Sequence, residues 1–266
     1  MLKAFRHGPV TRLHLGRSVL GHPIRTAEAY LVDDLLIDSG PPATAAELAR
    51  WCREREPGRI VLTHHHEDHA GGSARLQETF GVQVSAPVSA VPVVCHFPRL
   101  ELYRRAVWGQ PRPVEASPLG PEIETGGHRF EVIPTPGHCT DHVCFFEPQE
   151  GWLFSGDLFI HERARYLNAN EDVYRILTSL RSVLALKPQI LFCGHAGVVG
   201  DASSAIERKI QYWEELGEQV KDLRERGVSP KEMRARLLGP EGVATRLSGG
   251  RFSKQNLIDA LLGGEG

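Results

Sequence analysis

The stretch Thr63-His64-His65-His66-Glu67-Asp68-His69-Ala70-Gly71-Gly72 packs imidazoles and carboxylates into ten residues directly after a short apolar run, Ile60-Val-Leu62. Imidazole nitrogen and carboxylate oxygen are ligands for zinc, and also for iron or manganese. In an extended segment side chains alternate with a period of two, so His64 and His66 point the same way and can grip one ion together. Asp68 and His69 stand where the chain turns into a helix and can face a neighbouring ion. Three other places repeat one design, a polar residue delivered after a strand. These are His138 after Pro134-Thr-Pro-Gly, Asp157 after Phe154-Ser-Gly, and His195 after Phe192-Cys-Gly. A lone histidine or aspartate at a strand end is structural or solvated in most proteins. Four independent elements ending this way make a metal centre the better account.

The elements that must position these groups are legible as alternating strands and helices over the first 200 residues. Glu28 to Asp33 and Leu35-Leu-Ile-Asp38 read as a hairpin ending at a carboxylate, and Pro41-Pro42 precedes a helix from about Ala43 to Arg55. A helix is expected from about Gly72 to Phe80. Strands are expected near Arg129 to Thr135, Val143 to Glu147, Trp152 to Ser155 and Gln189 to Cys193. The spacing of Val173, Leu177, Leu180 and Leu184 predicts a helix. After Asp201 the pattern changes. Ile206, Ile210, Trp213, Leu216, Val220 and Leu223 give one long helix with a single apolar stripe. Ser229-Pro230 starts a second helix, and a third runs from about Ser253 through Leu262.

Bulk properties narrow the partners. With 31 Lys+Arg against 33 Asp+Glu, the formal net charge is -2, so no global field favours nucleic acid or an anionic membrane. No apolar run approaches the roughly 18 residues of a membrane span. The N-terminal segment lacks a secretory pattern. Five cysteines without a CxxC pair read as thiols of a reducing compartment. A cytoplasmic protein acting on a small molecule, with no membrane association, is the expectation.

In chain order, His64-x-His66-x-Asp68-His69 followed by His138, Asp157 and His195 resembles the metallo-β-lactamase superfamily. Asp38 matches that family's first motif, where the aspartate is structural. The resemblance covers about residues 10 to 200 and implies an α/β fold, the four-layer αββα sandwich, with metals at one edge of its two sheets. It divides the chain into a catalytic domain, residues 1–200, and a helical C-terminal extension, residues 201–266. Carried over by position, His64, His66 and His138 hold one ion, and Asp68, His69 and His195 hold the other. Asp157 bridges them. The implied cofactor is a pair of divalent ions, zinc before iron or manganese.

Such a pair would generate a metal-bridging hydroxide near neutral pH. Asp68 would orient the nucleophile and pass on its proton. His161, just beyond the bridging aspartate, would assist at the substrate oxygen. His142 is expected to be a hydrogen-bonding group, His65 and Glu67 to point away from the metals, and Cys139 to be a packed thiol. The segment Phe97 to Trp108 is either a substrate lid or a surface helix packed by Leu100, Leu102 and Val107.

The expected activity is hydrolysis of a small ester, thioester or lactone. An endoribonuclease of the same fold is the alternative, on the layout of Asn170, Ser179-Leu180 and Gly194-His195 with helices following. Against it stands the tail, where Lys221, Arg224, Arg226, Lys231, Arg234 and Arg236 are interleaved with Asp222, Glu225 and Glu232. An iron-dependent redox protein of the dioxygenase type is the rival from another class. The tail is free to cap the substrate mouth, bind a partner or build a homodimer.

Overall fold

The computed structural model describes residues 1–19 and 22–263. One sheet runs in the order β1 (Leu2–His7), β2 (Val10–Val19), β3 (His22–Val32), β4 (Leu35–Ile37), β5 (Arg59–Val61), β6 (Gln83–Ala86) and β7 (Ser117–Pro118). The other contains β8 (Glu122–Glu124), β9 (Arg129–Pro134), β10 (Val143–Glu147), β11 (Trp152–Gly156), β13 (Ile190–Cys193) and β14 (Gly197–Gly200), ordered β14-β13-β11-β10-β9-β8. A separate pair joins β12 (Leu167–Asn168) to β15 (Phe252–Ser253).

Alternation along the strands sorts the apolar side chains into layers. On β4, Leu36 meets α1 (Ala45–Cys52), α3 (Ser73–Phe80) and α4 (Val91–Cys95), while Leu35 and Ile37 face the other sheet. On β11, Trp152 and Phe154 fill the space between the sheets, and Leu153 faces α6 (Val173–Leu184) and α7 (Ala202–Glu225). Three apolar clusters therefore separate four layers, helix on sheet on sheet on helix. The expected αββα sandwich is the fold.

Strand direction creates the site. β4 and β5 run parallel, as do β11 and β13, and β9 runs with β11 because both are antiparallel to β10. Their C-terminal ends release Asp38, His64, His138, Asp157 and His195 along one edge of the sandwich.

The tail is built into the fourth layer. Ile206, Ile210, Trp213, Leu216 and Val220 of α7 share a cluster with Leu177 and Leu180 of α6 and Leu191 of β13. Met233 of α8 (Pro230–Leu237) and Leu257, Ile258 and Leu261 of α10 (Lys254–Gly263) join it, with α9 (Val243–Leu247) between them in the chain. The expected hairpin is β3 with β4, paired from Tyr30↔Ile37 to Val32↔Leu35. β3 also pairs with β2 from Thr11↔Leu31 to Val19↔His22, a pairing the sequence pattern does not mark because Arg12, His14 and Glu28 occupy a face that apolar counting passes over. The five cysteines are free. Among the described residues, no helix is long and apolar enough to cross a membrane.

Candidate metal centre

The loop after β5 leads into a single helical turn, α2 (Glu67–Ala70), and brings the expected imidazoles together. His66 Nδ1 lies 3.0 Å from His64 Nε2 and 2.9 Å from His138 Nε2. His195 Nε2 lies 3.4 Å from Asp68 Oδ2 and 3.3 Å from Asp157 Oδ2. The Asp157 carboxylate stands between the two groups, with Oδ1 3.2 Å from His69 Nε2 and Oδ2 3.5 Å from His138 Nε2.

The remaining ring nitrogens are committed elsewhere. Nδ1 of His64 donates to Thr63 Oγ1, which itself donates to Asp38 Oδ2. Nδ1 of His69 donates to Asp38, that of His138 to Glu171 Oε1, and that of His195 to the Thr26 carbonyl. When neutral, each of these four rings therefore turns an unprotonated Nε2 inward, the arrangement in which an acceptor behind a metal-ligating histidine fixes its tautomer and orientation. Asp38 also accepts the Thr63 backbone N–H, so it braces the loop. His69 Nε2 and Asp157 Oδ1 are buried without a hydrogen-bond partner. Buried polar atoms are seldom left so, and two inward-facing orphans among nitrogen and oxygen donors fit a divalent cation.

The electrostatics divide the rings. Burial, reinforced by neighbouring imidazoles, holds His64 and His66 well below the usual histidine range, in the neutral form that ligates. At His69 and His195 burial is outweighed by the Asp157 carboxylate, and both are held well above that range. At His138 burial is outweighed by Glu171 and Asp157. Burial opposes the charge on Asp157, but His195 and His69 hold it well below the carboxylate range; Asp68 is lowered in the same way. Two ionised carboxylates in a buried pocket attract positive charge, whether proton or metal.

Tight backbone approach shapes the pocket. A Cβ on Gly156, at φ +45°, would lie 2.6 Å from His142 Nε2, and one on Gly194 would lie 2.7 Å from both Asp157 Oδ1 and His69 Cε1. His142 Nε2 accepts the Asp157 backbone N–H while its Nδ1 bonds Thr135 Oγ1, and burial lowers its pKa to about 3. His65 and Glu67 turn outward. His65 pairs with Asp141, and the buried Glu67 is gripped by both Nε and Nη2 of Arg104.

Arg104 belongs to α5 (Leu102–Val107). The packing expected through Leu102 does not occur, since that side chain is 79% exposed. The helix docks instead through Arg104 and the buried Trp108, whose ring lies 6.3 Å from that of His195. His161 is exposed and joins none of the donor groups; its Nδ1 accepts the Arg163 N–H, which leaves Nε2–H free to donate.

Glu171 escapes sequence inspection because Asn168-Ala-Asn-Glu-Asp172 carries only loop signals. Its Oε2 accepts the Asn168 N–H, so the residue is aimed from β12. Glu171→Ala is expected to weaken metal binding at His138 by about 10- to 100-fold. Glu171→Gln, which keeps an acceptor, should lose less. Competition with a chelator measures both.

A sequence profile of the Metallo-beta-lactamase superfamily matches residues 26–195. Beta-lactamase-like protein 2 homolog of Drosophila melanogaster is 31% identical over 198 residues, 70% of this chain and 62% of its own length. Thioesterase pkgB of Emericella nidulans is 29% identical over 66% of this chain and 46% of its own length. Hydroxyacylglutathione hydrolase of Idiomarina loihiensis is 28% identical over 70% of this chain and 67% of its own. The chain thus spans about half to two thirds of these relatives. Among solved structures, a metallo-beta-lactamase family protein from Thermus thermophilus aligns with a TM-score of 0.62, at 22% identity, over 94% of this chain and 90% of that one. TTHA1623, solved in a di-iron-bound form, aligns with a TM-score of 0.56, at 30% identity, over 69% of this chain and 94% of its own.

Proposed function

Because this chain belongs to the metallo-beta-lactamase superfamily, we propose that it is a dinuclear metal-dependent hydrolase acting on a small thioester, with small esters and lactones next. One observation carries this. Nε2 of His64, His69, His138 and His195 and Nδ1 of His66 converge around Asp157 and Asp68, while the acceptors behind four of those rings fix their tautomers. A thioesterase and a hydrolase of an acylglutathione, itself a thioester, among the relatives support the choice of substrate. Residues 1–200 are assigned to the catalytic unit and residues 201–266 to an extension that closes its outer face.

His64, His66 and His138 would hold one divalent ion, and Asp68, His69 and His195 the other, with Asp157 shared. Zinc bound there would supply Lewis acidity toward a scissile carbonyl and lower the pKa of water. The chain's own residues do the rest. Asp68, kept ionised, orients the attacking water and takes its proton. His142 holds the backbone of Asp157, and the Arg104–Glu67 pair anchors the turn carrying Asp68. A departing thiolate needs little protonation, since a thiol is far more acidic than an alcohol. For an ester or lactone, Nε2–H of His161 is the donor assigned to the substrate oxygen.

Elemental analysis of chain purified without chelator, paired with thiol release from a panel of acyl thioesters, tests this. Two zinc ions per chain are expected, with turnover abolished by chelator and restored by zinc. Iron in both places, as in the di-iron form of TTHA1623, would replace zinc and open oxygen chemistry. A chain carrying both ions that hydrolyses no thioester, ester or lactone would end the proposal.

A further inference from the structure

A second set of donors is gathered on the outer side of the loop that carries His64 and His66. His65 Nδ1 lies 2.8 and 2.9 Å from the two oxygens of Asp141, whose Oδ2 also accepts the His65 backbone N–H at 2.9 Å. Cys139 Sγ lies beside the same carboxylate. One donor atom from each of these residues lies within 4.8 Å of the other two. His65 and Asp141 approach neither paired-ion group, whereas Cys139 also comes within 4.8 Å of the donors of His64, His66 and His138. The His65–Asp141 separation resembles the 3.0 and 2.9 Å between the imidazole nitrogens around His66.

The donor types are complementary. Thiolate, imidazole and carboxylate together suit zinc, and three protein ligands with one position left to solvent is a common zinc arrangement. The site is reachable, because the His65 side chain is 30% exposed and Cys139 is half-buried. A histidine–aspartate pair alone would suffice to pin the loop, and it gives no reason for a thiol to converge on the same carboxylate.

We propose that His65, Cys139 and Asp141 form an ancillary site for a third divalent cation of borderline softness, zinc or cobalt(II). Binding releases the Cys139 thiol proton to solvent, while the His65 ring turns its Nδ1 to the cation by shifting its proton to Nε2. The site joins the loop bearing His64 and His66 to the turn bearing His138. A cation there fastens together the two segments that supply the nitrogens of the first paired ion.

Cobalt(II) titration of the metal-free chain separates this site from the pair. A thiolate bound to cobalt gives an intense near-ultraviolet charge-transfer band, whereas the seven candidate ligands of the pair offer only nitrogen and oxygen. Cys52, Cys95, Cys144 and Cys193 belong to no donor group among the described residues. Wild type is expected to take up three equivalents, with the band growing over one of them. Cys139→Ser should lose the band and one equivalent while keeping two. His65→Ala, which leaves the thiol in place, should lose the band as well. The absence of a band at every loading would overturn the proposal. So would a band complete at the first equivalent and retained in His65→Ala, because Cys139 would then be a fourth ligand beside His64, His66 and His138, which it also approaches within 4.8 Å. Failure of the paired site itself would register separately, as fewer than two equivalents bound outside the band.

Discussion

Asp157→Asn is expected to lower turnover by more than about 100-fold and to leave no more than one ion tightly held. The lower bound follows from the worth of groups that merely orient a metal ligand, about 10- to 100-fold each. Asp157 stands inside that circle, its two oxygens facing His69 on one side and His138 and His195 on the other. Asparagine preserves the volume and one oxygen. It replaces the other with an amide donor aimed at nitrogens that must be unprotonated to hold a metal, and it removes one of two buried negative charges. The turn itself should survive, because His142 accepts from the backbone N–H of residue 157 and not from its side chain. Circular dichroism should therefore stay native while metal per chain and kcat/KM on the best thioester fall together. A variant that kept both ions and full turnover would remove Asp157 from the shared position proposed for it.

The contrast between Asp157 and Glu171 shows what a sequence can and cannot reveal. Asp157, His138 and His195 each follow a strand within a few residues, directly after a glycine whose missing Cβ allows close packing. Strand, glycine and polar residue are neighbours in the chain, so the pattern is local and visible. Glu171 acts on His138 from 33 residues away, Asp141 on His65 from 76, and Arg104 on Glu67 from 37. The acceptor behind His195 is a main-chain carbonyl, which no side-chain pattern can mark. These partners exist because of the fold. The layers themselves were legible where short apolar runs mark strands buried on both faces, as on β11 and β13. They were hidden on β2 and β3, where one face carries Arg12, His14 and Glu28. In α5, Leu102 and Val107 suggested packing, yet a helix of six residues docks through an ion pair and a tryptophan just past its end.

Lys209 interrupts the apolar stripe of α7, and its replacement by methionine is expected to change how stability depends on pH. Its side chain is buried, with Nζ donating to the carbonyls of Leu158 and Phe159 at 3.0 and 2.5 Å and lying 4.6 Å from the Trp213 ring. Burial brings its pKa down from 10.5 to about 8. The folded chain therefore gives up this proton near 8, and the unfolded chain holds it until about 10.5. Between those values the unfolded state binds more protons, so this group makes stability rise with pH; below 8 its full penalty applies. The gap corresponds to about 3 kcal/mol.

Methionine removes that penalty but strips two carbonyls of their donor, a loss of about 1–3 kcal/mol for each buried group left unpaired. Near neutral pH the two effects largely cancel, so Lys209→Met should match wild type there and fall behind it by about 3 kcal/mol near pH 10. The buried thiols Cys52 and Cys144, both raised to about 12, push stability the other way as pH rises. They are common to both proteins and drop out of the difference. The carbonyls set free belong to the turn after Asp157, where Ile160 is held at φ +52°, a strained conformation for a β-branched residue, and where His161 is presented. Metal retention should therefore decline in Lys209→Met even at neutral pH, where stability does not. Denaturant unfolding at the two pH values, with chelator competition at the lower one, reads both effects. A stability difference that stays constant across that range would mean that Lys209 does not titrate there.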